Sequence, residues 1–307
     1  MKAQRLFQPF SCQSCETQAI SNDGFRLMPQ NLISLQEAVN SIKTLVETAI
    51  VSGGTTAKNN LIRSQQPIKL LHEVVKSELI RHGVNKQHIN PPLGESAGEL
   101  KLAGFFKYKN QDICVAPNNV KKTPKILYSE GILHGNKDIF GQEFTEKTLS
   151  INVRSQLSSS AKNFDTLYER TFAEALNLHL RCPQMVLGEL YMIAVNEYDS
   201  KCANNKQVMY KKSSSIKTHI QKYLLSFNAV NGRSNVSSNH YKYERVCLLI
   251  IDFSQNIPKI YNANDELRSD GLLKNDSIAS IEKLSFPDFI SDLLQIYTDR
   301  FGAGRFT

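Results

Sequence analysis

Thr148-Leu149-Ser150-Ile151-Asn152-Val153-Arg154-Ser155-Gln156-Leu157 alternates in character along its length. Leu149, Ile151 and Val153 fall on one side, with Ser155 as a weaker fourth member; Ser150, Asn152, Arg154 and Gln156 fall on the other. A period of two is that of a β-strand. The apolar side predicts contact with a core. The polar side admits two readings, a plain solvent face or a functional one. Asn152, Arg154 and Gln156 are large hydrogen-bonding side chains flanked by Ser155 and by Ser158-Ser159-Ser160, which favours the functional reading. Arg and Gln also suit contact with phosphates and base edges.

Elements on both sides extend the pattern. Downstream, Asn163 or Asp165 opens a predicted helix to about Arg181, with Leu167, Phe172, Ala175, Leu176 and Leu178 at core spacing. Cys182-Pro183 ends it. Met185–Val195 is a strongly apolar strand; an acid buried in it, Glu189, needs a partner, whereas Glu197 fits a solvated strand end. Upstream, Asp112–Ala116 reads as a short strand and 99–107 as another. Before them lies a helix over Pro67–His82, with Pro67 in its first turn and Gly83 as its cap. The central order is therefore helix, three strands, helix, strand: αβββαβ. Further out, Ser34–Ala49 has helical spacing, Ser34 and Glu37 fit a capping box, and Gly53-Gly54 predicts the stop. Ile216–Phe227 and Asp288–Arg300 read as helices, and Tyr243–Phe253 as a buried strand.

Composition bounds the rest. The chain has 307 residues, of which 41% are hydrophobic and 21% charged, so it carries enough apolar material for a large core and is not a disordered class. Lys and Arg (37) exceed Asp and Glu (29), a net charge of +8 that favours a polyanionic partner. No apolar run reaches the ~18–20 residues of a membrane span, and no signal-peptide pattern opens the chain. Six thinly spread cysteines predict reduced thiols and a cytoplasmic protein. Cys12 and Cys15 make half a zinc site at most. Neither Gly-x-x-x-x-Gly-Lys-Ser/Thr nor Gly-x-Gly-x-x-Gly occurs, so no nucleotide cofactor is expected. No long linker divides the chain. One domain is expected over 1–307, with a core at about 67–195, an N-terminal helical extension over 1–66 and a C-terminal α/β extension over 196–307.

The αβββαβ order, Asp112 at the head of its strand, and Asn152-Val153-Arg154-Ser155-Gln156 on the next together resemble the PD-(D/E)xK nucleases. The likeness is nearest to the XhoI-like type II restriction endonucleases, whose Glu-x-Lys-Ser-Gln pattern occupies the corresponding strand. Lys162-Asn163, Glu169-Arg170, Glu174-Ala175 and Leu187-Gly188 continue it, over roughly residues 70–195. The resemblance implies a restriction-endonuclease-like mixed sheet flanked by helices. It also implies Mg²⁺, hydrolysis of both strands of double-stranded DNA at a short sequence, and a homodimer matching a palindromic site. Asp112 takes the place of the first metal carboxylate.

Two departures matter. Asn152 stands where the family has the second carboxylate, and Arg154 where it has the catalytic Lys. Asn offers an uncharged oxygen; Arg stays protonated and can only stabilise charge. Glu73 and Glu99 are the favoured substitutes for the missing acid, with Glu78, Glu95, Glu169 and Glu174 as alternatives. Lys101, in Glu99-Leu100-Lys101, is a rival acid-x-Lys placement. For DNA contact the candidates are Ser155, Gln156, Lys107 and Lys109 near the site, with Lys211, Lys212 and Arg233 in the basic Ser/Asn-rich region after it. A catalytically impaired DNA-binding protein on the same fold is the alternative that the two departures raise.

Overall fold

A computed structural model describes residues 31–128, 132–157, 160–211 and 215–306. Helix α1 spans Leu35–Arg63, opened by the capping box of Ser34 and Glu37. It does not stop at Gly53-Gly54. The backbone leaves helical geometry there and then resumes, so the pair is a kink. Gly54 has φ +64°, and a Cβ on it would lie 2.9 Å from the Ala203 carbonyl oxygen of a short helix packed across the kink. The glycines therefore admit a close backbone approach. Helix α2 is Gln66–Arg81, with Pro67 in its first turn.

The strand region differs from the expectation in one respect. Residues 99–107 are not a strand of the main sheet. They hold β2 (Leu100–Ala103), which turns at Gly104 to pair with β3 (Tyr108–Gln111) in a separate antiparallel hairpin. Gly104 lies so close to Asn177 that a Cβ there would meet its side chain at 2.2 Å. Asn177 in turn accepts from the Phe106 and Lys107 N–H groups and donates to the Lys107 carbonyl, fastening the hairpin down. The edge strand of the main sheet is instead β1 (Ile89–Asn90), which pairs with β4 (Ile113–Val115). A second small hairpin, β5 (Lys125–Ile126) with β6 (Lys137–Asp138), and helix α3 (Gln142–Glu146) follow.

Then come β7 (Leu149–Gln156), α4 (Ser160–His179) and β8 (Val186–Ala194). The C-terminal part adds α5 (Ser200–Asn204), α6 (Ser215–Ala229), β9 (Arg245–Asp252), β10 (Lys259–Tyr261), α7 (Asn264–Ser269) and α8 (Phe289–Phe301). The six-stranded sheet has the order β1-β4-β7-β8-β9-β10. It is antiparallel through β1, β4 and β7, parallel from β7 through β8 to β9, and antiparallel again at β10. Each parallel step is bridged by a helix, as a crossover requires.

Two apolar layers sandwich this sheet. Ile151 and Val153 of β7, Leu190 and Met192 of β8, and Leu249 of β9 pack against α1, α2 and α8. Leu187, Tyr191, Leu248 and Ile250 pack on the other face with Ala175 and Leu178 of α4 and Tyr223 and Phe227 of α6. A fully buried leucine or isoleucine in such a layer contributes about 1.5–3 kcal/mol. Because β7 alternates, Ser150, Asn152, Arg154 and Gln156 all face the α4/α6 side. That side is an interior, not solvent: Ser150, Asn152 and Gln156 are buried. No helix among the described residues is long and apolar enough to cross a membrane.

Candidate functional site

The polar row follows from strand register. Ile113 pairs with Ile151, so the residue before β4, Asp112, stands across from Asn152. Asn152 pairs in turn with Glu189 on β8. Continuing the β2–β3 register by one residue from Leu100 and Gln111 sets Glu99 beside Asp112. Glu99, Asp112, Asn152 and Glu189 thus form one line across four neighbouring segments. Asp112 is half-buried, and its Oδ2 accepts from the Val153 N–H at 2.8 Å. It supplies an acceptor where the β4 ladder has ended.

Arg154 lies one turn of the strand pleat further on. Its guanidinium donates to Glu189 Oε1, to Glu174 Oε2 and, at 3.1 Å, to Thr171 Oγ1. Lys109 forms an ion pair with the other Glu174 oxygen. Tyr243, fully buried, donates to the Thr171 carbonyl at 2.8 Å. Helix α4 therefore sends Thr171 and Glu174, three residues apart on one helix face, onto the polar side of β7. Asn152 is 1% exposed; its amide atoms and Glu189 Oε2 are buried and make no hydrogen bond of good geometry, with the Tyr243 hydroxyl as the polar neighbour of both residues.

The electrostatics follow from this burial. Desolvation pushes the Glu189 carboxyl up to about 7, with the Arg154 charge pulling it down and Asp112 adding to the rise. Burial is the largest influence and works against the Arg154 charge, but Glu189, Tyr243 and Asp112 together outweigh it, so Arg154 is a permanent cation. Glu99 is raised by burial and then by Asp112. His72 on α2 is lowered to about 4 by burial, with Asp112 opposing, so it is the α2 side chain within electrostatic reach of Asp112.

Glu73, its neighbour, is engaged elsewhere. Glu73 is fully buried, pairs with Lys76 at 2.7 Å and accepts from the Gly94 N–H at 2.7 Å. Lys76 also donates to the Pro92 and Glu95 carbonyls. With both carboxylate oxygens engaged in fastening this loop, Glu73 is a structural anchor, and its expected metal role is corrected here. Glu78 pairs with Arg81, and Glu169 is exposed. Lys101 is exposed on β2, its Nζ 5.3 Å from the Tyr108 ring centroid, two residues along from Glu99 and so on the same side of the strand.

The expected DNA contacts separate in the same way. Gln156 is buried, and its Oε1 accepts from Tyr191 and Tyr223 at 2.9 and 2.7 Å. Arg233 is 2% exposed and bonds Glu244 at 3.0 Å and the carbonyls of Pro183, Val236 and Ser238. Both are interior fasteners, which corrects their assignment to DNA. Ser155 is half-buried and, by alternation, on the opposite side of β7 from the row. Lys109 is committed to Glu174 and Lys211 to Glu197. Lys212, Cys12 and Cys15 lie outside the described residues. Lys107 is exposed, and with it Lys101, Lys121, Lys122, Lys125 and Lys137 on or between the two small hairpins; none of these forms an ion pair among the described residues. The hairpins touch where the Tyr108 hydroxyl donates to the Lys137 carbonyl at 3.1 Å.

Glu174 and Glu189 are thus the acids that join Asp112 and Arg154. Glu189 carried one signal in the sequence, an acid inside an apolar strand that needs a partner. Its partner, Arg154, emerges only once the β7–β8 register is known. Among the described residues no three His, Cys, Asp or Glu side chains form a ready metal cage. The oxygen set here is two carboxylates with an amide between them. Protein-family models, curated proteins and solved structures give no match to this chain.

Proposed function

We propose that the protein is a Mg²⁺-dependent type II restriction endonuclease, a cytoplasmic homodimer that hydrolyses both strands of double-stranded DNA at a short sequence. The observation that carries this reading is the row itself: Asp112 beside Asn152 and Glu189, next to a permanent cation, at the point where the sheet changes from antiparallel to parallel. The order α2-β1-β4-β7-α4-β8 supports a restriction-endonuclease-like αβββαβ core, with β1 as the first strand and the β2–β3 hairpin as an insertion.

The donor set fits a hard divalent cation. Mg²⁺ is commonly held by one or two carboxylates, with water and substrate phosphate completing its shell. Asp112 would hold it, with the amide oxygen of Asn152 adjacent and Glu99 at the rim. Bound there, it would supply Lewis-acid polarisation of the phosphate and a more acidic water. The chain's own contribution is positioning and charge. The backbone of β7 fixes Asp112 through Val153, and Arg154 presents fixed positive charge beside the row. The unpaired lysines of the two hairpins contact backbone phosphate and give no base preference themselves.

Incubation of the purified protein with phage DNA and Mg²⁺ tests this reading. Discrete fragments are expected; no banding on either methylated or methylation-free DNA sinks it. The phosphate contacts carry a separate expectation. Lys122→Ala with Lys125→Ala should weaken binding to all sequences alike and flatten the slope of log K against log salt by about 2, one per lysine. An unchanged slope in a gel-shift titration removes these hairpins from the interface. A second reading, a DNA-binding protein without hydrolysis, is favoured by the two carboxylates that already occupy Arg154. DNA binding with no Mg²⁺-dependent cutting is its signature.

A further inference from the structure

We propose that Glu189 supplies the carboxylate that position 152 lacks, so that a divalent cation is held by Asp112 and Glu189 with the Asn152 amide oxygen between them. The inference rests on the nuclease reading for its purpose, but its site is argued from this chain's own side chains.

Register makes the exchange of positions possible. Asn152 and Glu189 are paired residues on adjacent parallel strands, on the same side of the sheet. An acid at either place projects to the same side of the sheet, from one strand away from Asp112 at 152 and from two strands away at 189. Moving the carboxylate one strand sideways therefore keeps it in the row, about 4.8 Å further from Asp112 in the backbone, a gap the longer Glu side chain helps to span.

Unsatisfied atoms mark that part of the row. Asn152 is 1% exposed and Glu189 fully buried; Asn152 Oδ1 and Nδ2 and Glu189 Oε2 make no hydrogen bond of good geometry, although the Tyr243 hydroxyl lies beside both residues. An unpaired buried polar atom costs about 1–3 kcal/mol. Several at one register position call for a common partner. A partner with positive charge fits best. Four acids, Glu99, Asp112, Glu174 and Glu189, are met here by Arg154 and Lys109, with Lys69 near Glu99, and Glu174 already engages both Arg154 and Lys109. Arg154 reaches Glu189 through Oε1 alone, so Oε2, with the neutral Tyr243 hydroxyl as neighbour, can face a second cation while Glu174 keeps the guanidinium in place. Hard oxygens, two of them charged, suit Mg²⁺ or Mn²⁺ and not a softer metal.

The test uses Mn²⁺ as probe, titrated into the full-length protein without DNA and followed by electron paramagnetic resonance of the free ion. Wild type is expected to bind one Mn²⁺ per chain. Glu189→Gln, which keeps an acceptor for Arg154, should weaken binding by about 10-fold or more. Adding Asn152→Asp to Glu189→Gln should restore most of the affinity, because the acid returns to the same row on the strand next to Asp112. Asn152→Asp alone should tighten binding, which keeps the proposal testable should Glu189→Gln fail to fold. No Mn²⁺ binding by wild type, wild-type affinity in folded Glu189→Gln, or no gain from Asn152→Asp in either background overturns it. The two readings fail separately. Glu189-dependent Mn²⁺ binding without DNA cleavage keeps this site and removes the nuclease, whereas full cleavage by Glu189→Gln keeps the nuclease and removes this site.

Discussion

Glu244→Ala is expected to destabilise the protein by about 3–5 kcal/mol, the cost of breaking a buried charge network on one side. Glu244 is fully buried. It pairs with Arg233 at 3.0 Å and Arg300 at 2.9 Å, accepts from the Leu187 N–H at 2.8 Å, and lies 3.4 Å from His179 Nε2. These partners come from the loop after α6, from α8, from the start of β8 and from the end of α4. One carboxylate thus joins four elements where β8 begins, two residues along that strand from Glu189. Removing it strands Arg233 in the interior without a counter-charge. Burial would raise the Glu244 carboxyl, but His179, Arg300 and the Leu187 N–H together hold it below the usual carboxylate range. A depressed carboxyl contributes stability above its unfolded-state value and loses it as pH falls through the folded one. The stability gap between wild type and Glu244→Gln should therefore narrow as pH drops below that range. Urea unfolding at neutral and acid pH measures both effects. A neutral-pH loss under about 1 kcal/mol for Glu244→Ala would show that the network is ornamental.

This node also explains part of what the sequence concealed. Arg233 sits in a Ser/Asn-rich basic stretch, and composition there suggests a surface that meets phosphate. Its burial depends on Glu244, eleven residues away on the far side of the loop, and no local pattern records that pairing. Gln156 was misleading for a related reason. Alternation placed Ser150, Asn152, Arg154 and Gln156 on one face correctly, but a period of two does not say what covers the face. Here α4 and α6 cover it, so the end of the row carrying Gln156 is sealed by Tyr191 and Tyr223. Only the stretch near Asp112 and Arg154 stays partly open.

Long periodic elements were legible: α2, β7, α4, β8, β9 and α8 follow the spacing of their apolar residues. Short ones were not. The edge strand β1 has two residues, too few for any period. The apparent strand over 99–107 is a hairpin because Gly104 turns the chain under Asn177, a contact across more than seventy residues. Gly53-Gly54 reads as a helix stop by propensity, yet α5 packing against the kink lets the helix continue. In each case a distant contact outweighed a local preference. The acid row had the same character. Asp112 could be proposed from its strand-start position, whereas Glu174 and Glu189 became site residues through register and helix docking.

Asp112→Asn is the substitution that best separates chemistry from folding at this row. The Asp112 carboxylate accepts from the Val153 N–H at 2.8 Å. Asn retains an oxygen for that bond, so the head of β4 and its register with β7 should persist, and stability should change by less than about 1 kcal/mol. What is lost is the charge. On the nuclease reading, that charge anchors the catalytic cation, and its removal should lower single-turnover DNA cleavage by about 10³-fold or more, near 4 kcal/mol of transition-state stabilisation. DNA affinity measured without Mg²⁺ should hold or rise, since one negative group leaves a surface that approaches phosphate. Asp112→Ala should show the same loss of cleavage with a further stability cost of about 1–3 kcal/mol, because the Val153 N–H then has no acceptor. A variant Asp112→Asn that folds, binds DNA and still cuts within about 10-fold of wild type would remove Asp112 from the chemistry, a loss of only about 1.4 kcal/mol. Glu189 and Arg154 would then remain as a buried ion pair of the core, and the row would lose its half-exposed, chemically accessible member.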